Sequence, residues 1–175
     1  MSEELENTLL NAELGETETP LHLDRSSELK LACYRMYSLA KKRIDILTYD
    51  LEPRILSERE IEQALKEFIR QSRHTEVRIL VFDTTMLQKV DHRLVALAQA
   101  FPSYVSIRVL AKDFQQIPYS FHLVDDSGLI YRTNHSELES LVSFNSKLKV
   151  REYRKEFNEM WEHSRVASEL RSLSI

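Results

Sequence analysis

Glycine is scarce in this chain of 175 residues: there are two, with four prolines and one cysteine. An all-β protein turns too often for so few turn residues, so helices are expected to carry much of the mass. The lone Cys33 excludes an intramolecular disulfide, and its setting LKLACYRM reads as a buried helical position. No apolar run approaches the length that spans a bilayer. The start also lacks the basic and apolar opening of a secretory signal, so a cytoplasmic location is expected. The six histidines are scattered, with no i, i+4 pair and third ligand, and neither a metal nor a cofactor is expected.

Positive charge is absent from the first 20 residues, which hold Glu3, Glu4, Glu6, Glu13, Glu16 and Glu18. The net charge of -4 therefore conceals a slightly basic body, because residues 21–175 carry 24 Lys and Arg against 22 Asp and Glu. The stretch ELGETETP reads as part of a mobile acidic tail over residues 1–24, leaving residues 25–175 as a single domain. So small an excess is well short of a dedicated nucleic-acid binder.

What is present is a regular alternation of element types. Ser26 or Ser27 can cap a helix running through Leu29, Ala32, Met36 and Leu39. Ile44 to Tyr49 is a short strand. Ser57 precedes a second helix with Glu60 at the capping-box position and Ile61, Ala64, Leu65, Phe68 and Ile69 at helical spacing. Val77 to Phe82, a helix marked by Leu94, Leu97 and Phe101, and a strand from Val105 to Leu110 follow. This order predicts an α/β fold with a mixed, mostly parallel sheet flanked by helices. A C-terminal helix carries Tyr153, Phe157, Met160, Trp161 and Leu170.

Residues 117–132, IPYSFHLVDDSGLIYR, alternate with period two on either side of Asp125-Asp126-Ser127-Gly128, which is turn chemistry. A hairpin is expected, with His122 just before its turn. Asp50, Glu52 and Asp83 fall after strands, at the end where open α/β sheets place ligands.

The order IDILTYDLEP, IEQALKEFIRQSRHTEVRILVFD, SIRVL, FHLVDDSGLIYR, VSFNS, EFNEMWEHS resembles one half of the phospholipase D-like superfamily, over about residues 28–165. It is also similar to a domain that follows acetyltransferase domains in some bacterial proteins. The resemblance implies a phospholipase D-like half, and commonly such halves pair into a two-fold dimer. Active halves carry His-x-Lys-x4-Asp: the His attacks phosphorus, the Lys stabilises phosphoryl oxygens and the Asp supports the His. With Asp125 in the Asp place, Pro118 and Ser120 stand where His and Lys belong. With Asp126 there, Tyr119 and Phe121 do. Nucleophile and cation are missing in both registers, and His122 lies too close to the acids in sequence to replace the His.

The family also places Gly-Ser-x-Asn after the hairpin. Val142-Ser143-Phe144-Asn145 keeps Ser-x-Asn at a longer distance than usual, and Thr133-Asn134 is the other possible equivalent. Downstream, Lys147, Lys149, Arg151, Arg154 and Lys155 form the densest cationic segment, a phosphate-binding or solvated helix face. Tyr153, Phe157 and Trp161 make an apolar stripe that either packs on the sheet or docks a partner.

The expectation is a catalytically silent domain acting as a binding or regulatory module. Its partner is a protein such as an acetyltransferase, a second copy, or an anionic ligand, with nucleic acid as a weaker possibility. His122, Asp125, Asp126, Ser143, Asn145, Lys147, Lys149 and Arg151 are the candidate contacts. The alternative is a phosphodiesterase with a rearranged site around His122, Asp125 and Arg132.

Overall fold

Aliphatic runs build the centre of the sheet. In the computed structural model, which describes residues 1–171, β2 (Arg43–Thr48), β3 (Glu76–Val81) and β4 (Val105–Val109) lie side by side and parallel. β2 and β3 are covered on both faces, so each reads as a nearly continuous apolar run. Each run has one buried charged interruption, and the two meet: Arg78 donates from Nε to Asp45 Oδ1 at 2.7 Å and from Nη2 to Oδ2 at 3.0 Å.

Helices α3 (Pro53–Leu56) and α4 (Arg59–Arg70) connect β2 to β3, and α5 (Arg93–Ala100) connects β3 to β4. The expected apolar residues of α4, Ile61 to Ile69, are the ones it buries. Ser57 does not cap α4: it lies between α3 and α4, and its Oγ accepts from the Arg93 N–H at 3.0 Å. α2 (Ser26–Leu39) precedes β2, and its start is satisfied by Glu28, which accepts from the N–H groups of Asp24 and Arg25 at 3.2 and 3.1 Å. The cap therefore comes from inside the helix rather than from a serine.

The hairpin forms as expected from β5 (Ser120–Val124) and β6 (Gly128–Arg132). β7 (Ser140–Ser143), β1 (Leu21–Leu23) and β8 (Arg165–Val166) complete the order β1-β7-β6-β5-β2-β3-β4-β8. The sheet is mixed, but the expectation that it is mostly parallel is corrected: two pairings are parallel and five antiparallel. Strand-helix-strand spacing governs only β2 to β4. Short connections such as that between β5 and β6 permit only antiparallel neighbours.

The two faces carry separate cores. α2, α4 and α5 cover Ile44, Ile46, Ile79 and Val81, while α6 (Lys147–Glu162) covers Leu47, Leu80, Phe121 and Leu129 with Val150, Phe157 and Met160. The stripe of Tyr153, Phe157 and Trp161 packs on the sheet: Tyr153 stacks on Phe121 at 5.3 Å, and Arg108 lies 4.4 Å over the Trp161 ring. α6 starts before Glu152 and ends before Leu170, which is buried in a short turn of 3-10 helix.

The N-terminal residues are not the free tail expected from their charge. α1 (Glu3–Asn11) buries Leu9 and leads to buried Ala12, whose carbonyl accepts from Arg35 Nη2 at 3.0 Å. Gly15 N–H donates to the Phe144 carbonyl at 2.7 Å, and β1 then pairs with β7. The apolar residues Leu9, Ala12, Leu21 and Leu23 between the glutamates fix this segment. Among the described residues no helix is long and apolar enough to cross a membrane.

Candidate functional site

β5 runs antiparallel to β2, pairing Ile44 with Val124 and Leu47 with Phe121. The hairpin turn therefore lies at the amino end of the parallel strands, and Pro118 and Ser120 lie at their carboxyl end. This separates residues that the sequence places close together.

At the turn, Asp125 adopts the left-handed conformation (φ 53) that Asp tolerates better than most residues. Its carboxylate accepts from the N–H groups of Lys41, Lys42 and Arg43 at 2.8, 2.7 and 3.0 Å, and its own N–H donates to the Arg43 carbonyl at 2.8 Å. The side chain is a clasp for the loop between α2 and β2. Gly128 serves close approach rather than positive φ: a Cβ there would meet Leu14 Cδ1 at 2.8 Å and Met36 Sδ at 2.9 Å. Asp126 is exposed, 3.6 Å from Lys42 Nζ.

His122 points into the core under α2. It is buried, its Nδ1 is 2.5 Å from the Tyr37 hydroxyl, and burial, with Arg132 adding to it, pulls its pKa down to about 3. The His122 and Asp125 side chains bond to different partners, His122 to Tyr37 and Asp125 to the N–H groups of Lys41, Lys42 and Arg43.

The carboxyl end holds the other polar constellation. Arg132 is buried and pairs through Nη1 with Glu52, while Nε donates to the Glu137 carbonyl at 2.8 Å and Nη2 to the His135 carbonyl at 3.0 Å. Burial pushes the Glu52 carboxyl up, and Arg132 opposes it. Leu51 (φ 64) and Glu52 (φ 34) are consecutive left-handed residues, a strained backbone. It is held by Thr48 Oγ1, which accepts from Leu51 N–H at 3.2 Å, by Asp50 Oδ1, which accepts from Glu52 N–H at 3.0 Å, and by His92 Nε2, 2.9 Å from the Leu51 carbonyl.

His135 lies in the same place, unforeseen in the sequence. Its N–H donates to the Pro118 carbonyl at 2.7 Å, and its half-buried ring lies 4.9 Å from Tyr49 and 5.0 Å from Phe82. Burial lowers its pKa, Arg132 lowers it further and Asp50 opposes them. The signal available was its position directly after Thr133-Asn134. Chemically this end offers one accessible neutral imidazole beside a guanidinium already saturated by a carboxylate and carbonyls.

Residues 25–173 match the family described as Domain of unknown function (DUF7931). The chain belongs to DUF7931. No curated protein matches it in sequence. Among solved structures, this DUF7931 chain is similar to Nuc, a phospholipase D family member from Salmonella typhimurium, with TM-score 0.60 and 15% identity over 85% of this chain and 98% of that one. NucT from Helicobacter pylori matches with TM-score 0.60 and 14% identity over the same shares, 85% and 98%. TrmBL2, an archaeal chromatin protein whose structure is said to show a novel mode of DNA binding, gives TM-score 0.64 and 14% identity over 94% of this chain. The chain spans 59% of that protein. The DUF7931 fold is thus phospholipase D-like.

The remaining expected contacts of the DUF7931 chain divide. Ser143 is buried opposite Leu129, on the turn side, with its Oγ accepting from the Asn145 N–H at 3.4 Å; neither residue is near Pro118. Arg154 turns inward, donating to Asp45 Oδ2 at 3.0 Å and the Asp125 carbonyl at 2.5 Å. Lys147, Lys149, Arg151 and Lys155 are exposed on α6. Among the described residues no three His, Cys, Asp or Glu gather as metal ligands. Cys33 is buried, and burial raises its pKa.

Proposed function

We propose that this chain is a phospholipase D-like domain without phosphodiester chemistry, acting by binding. One observation carries the reading. By the family resemblance, the places of the nucleophile and cation are held by Pro118 and Ser120, or by Tyr119 and Phe121 in the other register, and at the carboxyl end of the strands Arg132 is engaged by Glu52 and two carbonyls. Phosphoryl transfer of the family's kind uses an imidazole nucleophile together with a free cation aimed at the phosphorus, and the accessible imidazole here, His135, has beside it only the engaged Arg132. His122 supplies neither access nor charge. The test is release of nitrophenol from bis(4-nitrophenyl) phosphate. None above buffer is expected; sustained turnover by the purified chain overturns the reading.

A polyanion is the partner class that α6 supports. Lys147, Arg151 and Lys155 recur at i, i+4 and i+8, on one exposed stripe of the helix, and none is in an ion pair among the described residues. The DNA binding stated for the archaeal chromatin protein makes DNA the first polyanion to try. Affinity should fall with salt, and replacing all three cations by Gln should reduce the slope of log K against log salt by about 2–3. Binding indifferent to salt and to the triple replacement removes this partner class.

A further inference from the structure

His92 uses both of its ring nitrogens. It is buried directly before α5, where its Nδ1 accepts from the Leu94 N–H at 3.0 Å and its Nε2 lies 2.9 Å from the Leu51 carbonyl oxygen. A backbone N–H can only donate and a carbonyl can only accept, so the proton sits on Nε2 and the ring is neutral. The imidazole is the N-cap of α5 and at the same time a donor to the turn after β2. Arg93, the next residue, gives its N–H to Ser57 Oγ and points its guanidinium at Glu62, 3.4 Å away.

The turn that receives this bond is the left-handed pair Leu51 and Glu52, a conformation that persists only where surrounding contacts hold it. Glu52 engages Arg132, and Arg132 in turn donates to the His135 carbonyl. A continuous path of bonded groups therefore runs from the start of α5 to His135. A second proton on His92 cannot be accommodated in it. An Nδ1–H would face the Leu94 N–H, two donors 3.0 Å apart, and among the described residues the buried ring has no acceptor but the Leu51 carbonyl.

We propose that His92 is a proton-sensitive latch on the carboxyl end of the sheet. Neutral, it holds Leu51 and Glu52 in place and so keeps Arg132 engaged by Glu52. Protonation expels the ring, relaxes the turn and frees the guanidinium. The charged group facing the ring is Asp50, in the same turn, while Asp91 beside it is exposed. Asp50 favours the proton and burial opposes it more strongly, so the latch is closed at neutral pH and opens in acid. The latch acts on the same Arg132 as the proposed function, but it is read from ring and amide signals rather than from turnover, so the two fail separately.

The experiment is NMR of the full, isotope-labelled chain, titrated downward from pH 8. At pH 8 the His92 ring nitrogens should show the Nε2–H tautomer. As the pH falls, the Leu51 and Glu52 amides and the Arg132 Nε–H should shift together with the His92 ring, at one midpoint below the ordinary imidazole value of 6.5, while the β3 amides keep their positions. His92→Asn retains a capping oxygen for the Leu94 N–H but lacks the reach of Nε2. It should place the Leu51, Glu52 and Arg132 signals at their acid positions already at pH 8, with the α5 amides unchanged. An Nδ1–H tautomer overturns the proposal, as does a His92 titration that leaves Leu51 and Glu52 unmoved. Parent-like Leu51, Glu52 and Arg132 signals in His92→Asn at pH 8 overturn it too. So does an acid step at Leu51 and Glu52 that persists in His92→Asn, since that step belongs to the carboxyls of Asp50 or Glu52.

Discussion

Nδ1 of His122 and the hydroxyl of Tyr37 lie 2.5 Å apart, fully buried between β5 and α2. This pair determines what the histidine of the hairpin can do. An unfolded His titrates near 6.5, whereas His122 in the fold stays neutral down to about 3. Between those values the unfolded chain binds a proton that the folded chain refuses. Its contribution is therefore complete above pH 6.5 and is lost as pH falls toward 3, by roughly 5 kcal/mol in all.

His122→Phe should accordingly flatten the acid limb of the stability profile. At pH 8 it should also cost about 1–3 kcal/mol, because the Tyr37 hydroxyl loses its partner. Urea unfolding of both proteins at pH 8, 6 and 5 measures the difference. Parallel profiles would show that His122 is not held neutral by the core.

The Asp125 carboxylate holds three backbone N–H groups at the start of β2. Asp125→Ala removes the acceptor for three N–H groups and puts a less tolerant residue at φ 53, for a cost of about 2–4 kcal/mol. Asp125→Asn keeps the conformation and one acceptor oxygen, and should cost less than half as much. Denaturant midpoints distinguish the two; equal, small losses would contradict the clasp.

Asp45 lies between two arginines. Its carboxylate accepts from Arg78 at 2.7 and 3.0 Å and from Arg154 at 3.0 Å, and Arg78 is further held by Asn158 Oδ1 at 2.8 Å. Asp45→Ala removes the carboxylate the two guanidinium groups share, leaving Arg78 only Glu76 at 3.7 Å as an ion-pair partner and Arg154 only Asp126 at 3.9 Å, and should cost about 3–5 kcal/mol. Thermal unfolding reads this directly, and a variant as stable as the parent would refute the network.

The N-terminal helix is part of the folded body. Leu9→Ala should destabilise the whole chain by about 2–5 kcal/mol in a single transition, as truncation of a buried leucine does. A substitution without effect on the midpoint would restore the reading of residues 1–24 as a tail.

How far the sequence carried these conclusions differs by region. Periodicity located β2, α4, β3, α5, β4 and the hairpin, because each buries one face or both and its spacing says so. The N-terminal segment misled because its six glutamates dominate the composition, while Leu9 and Ala12, the residues that dock it, are a small minority. The candidate site misled for a topological reason. Asp125 and Asp126 are adjacent to His122 in sequence, but an antiparallel hairpin sends the turn to one end of the sheet and the start of β5 to the other. His135 and Glu52 come together with Arg132 only once β5 lies beside β2, and no local pattern announces that pairing.

The central claim is the absence of phosphodiester chemistry. Its most direct measurement compares nitrophenol release from bis(4-nitrophenyl) phosphate by the parent chain, His135→Ala and His122→Ala across pH 5–9. The account predicts three traces indistinguishable from buffer. Turnover by the parent that disappears in His135→Ala would contradict it and identify the imidazole on Tyr49 as a working nucleophile.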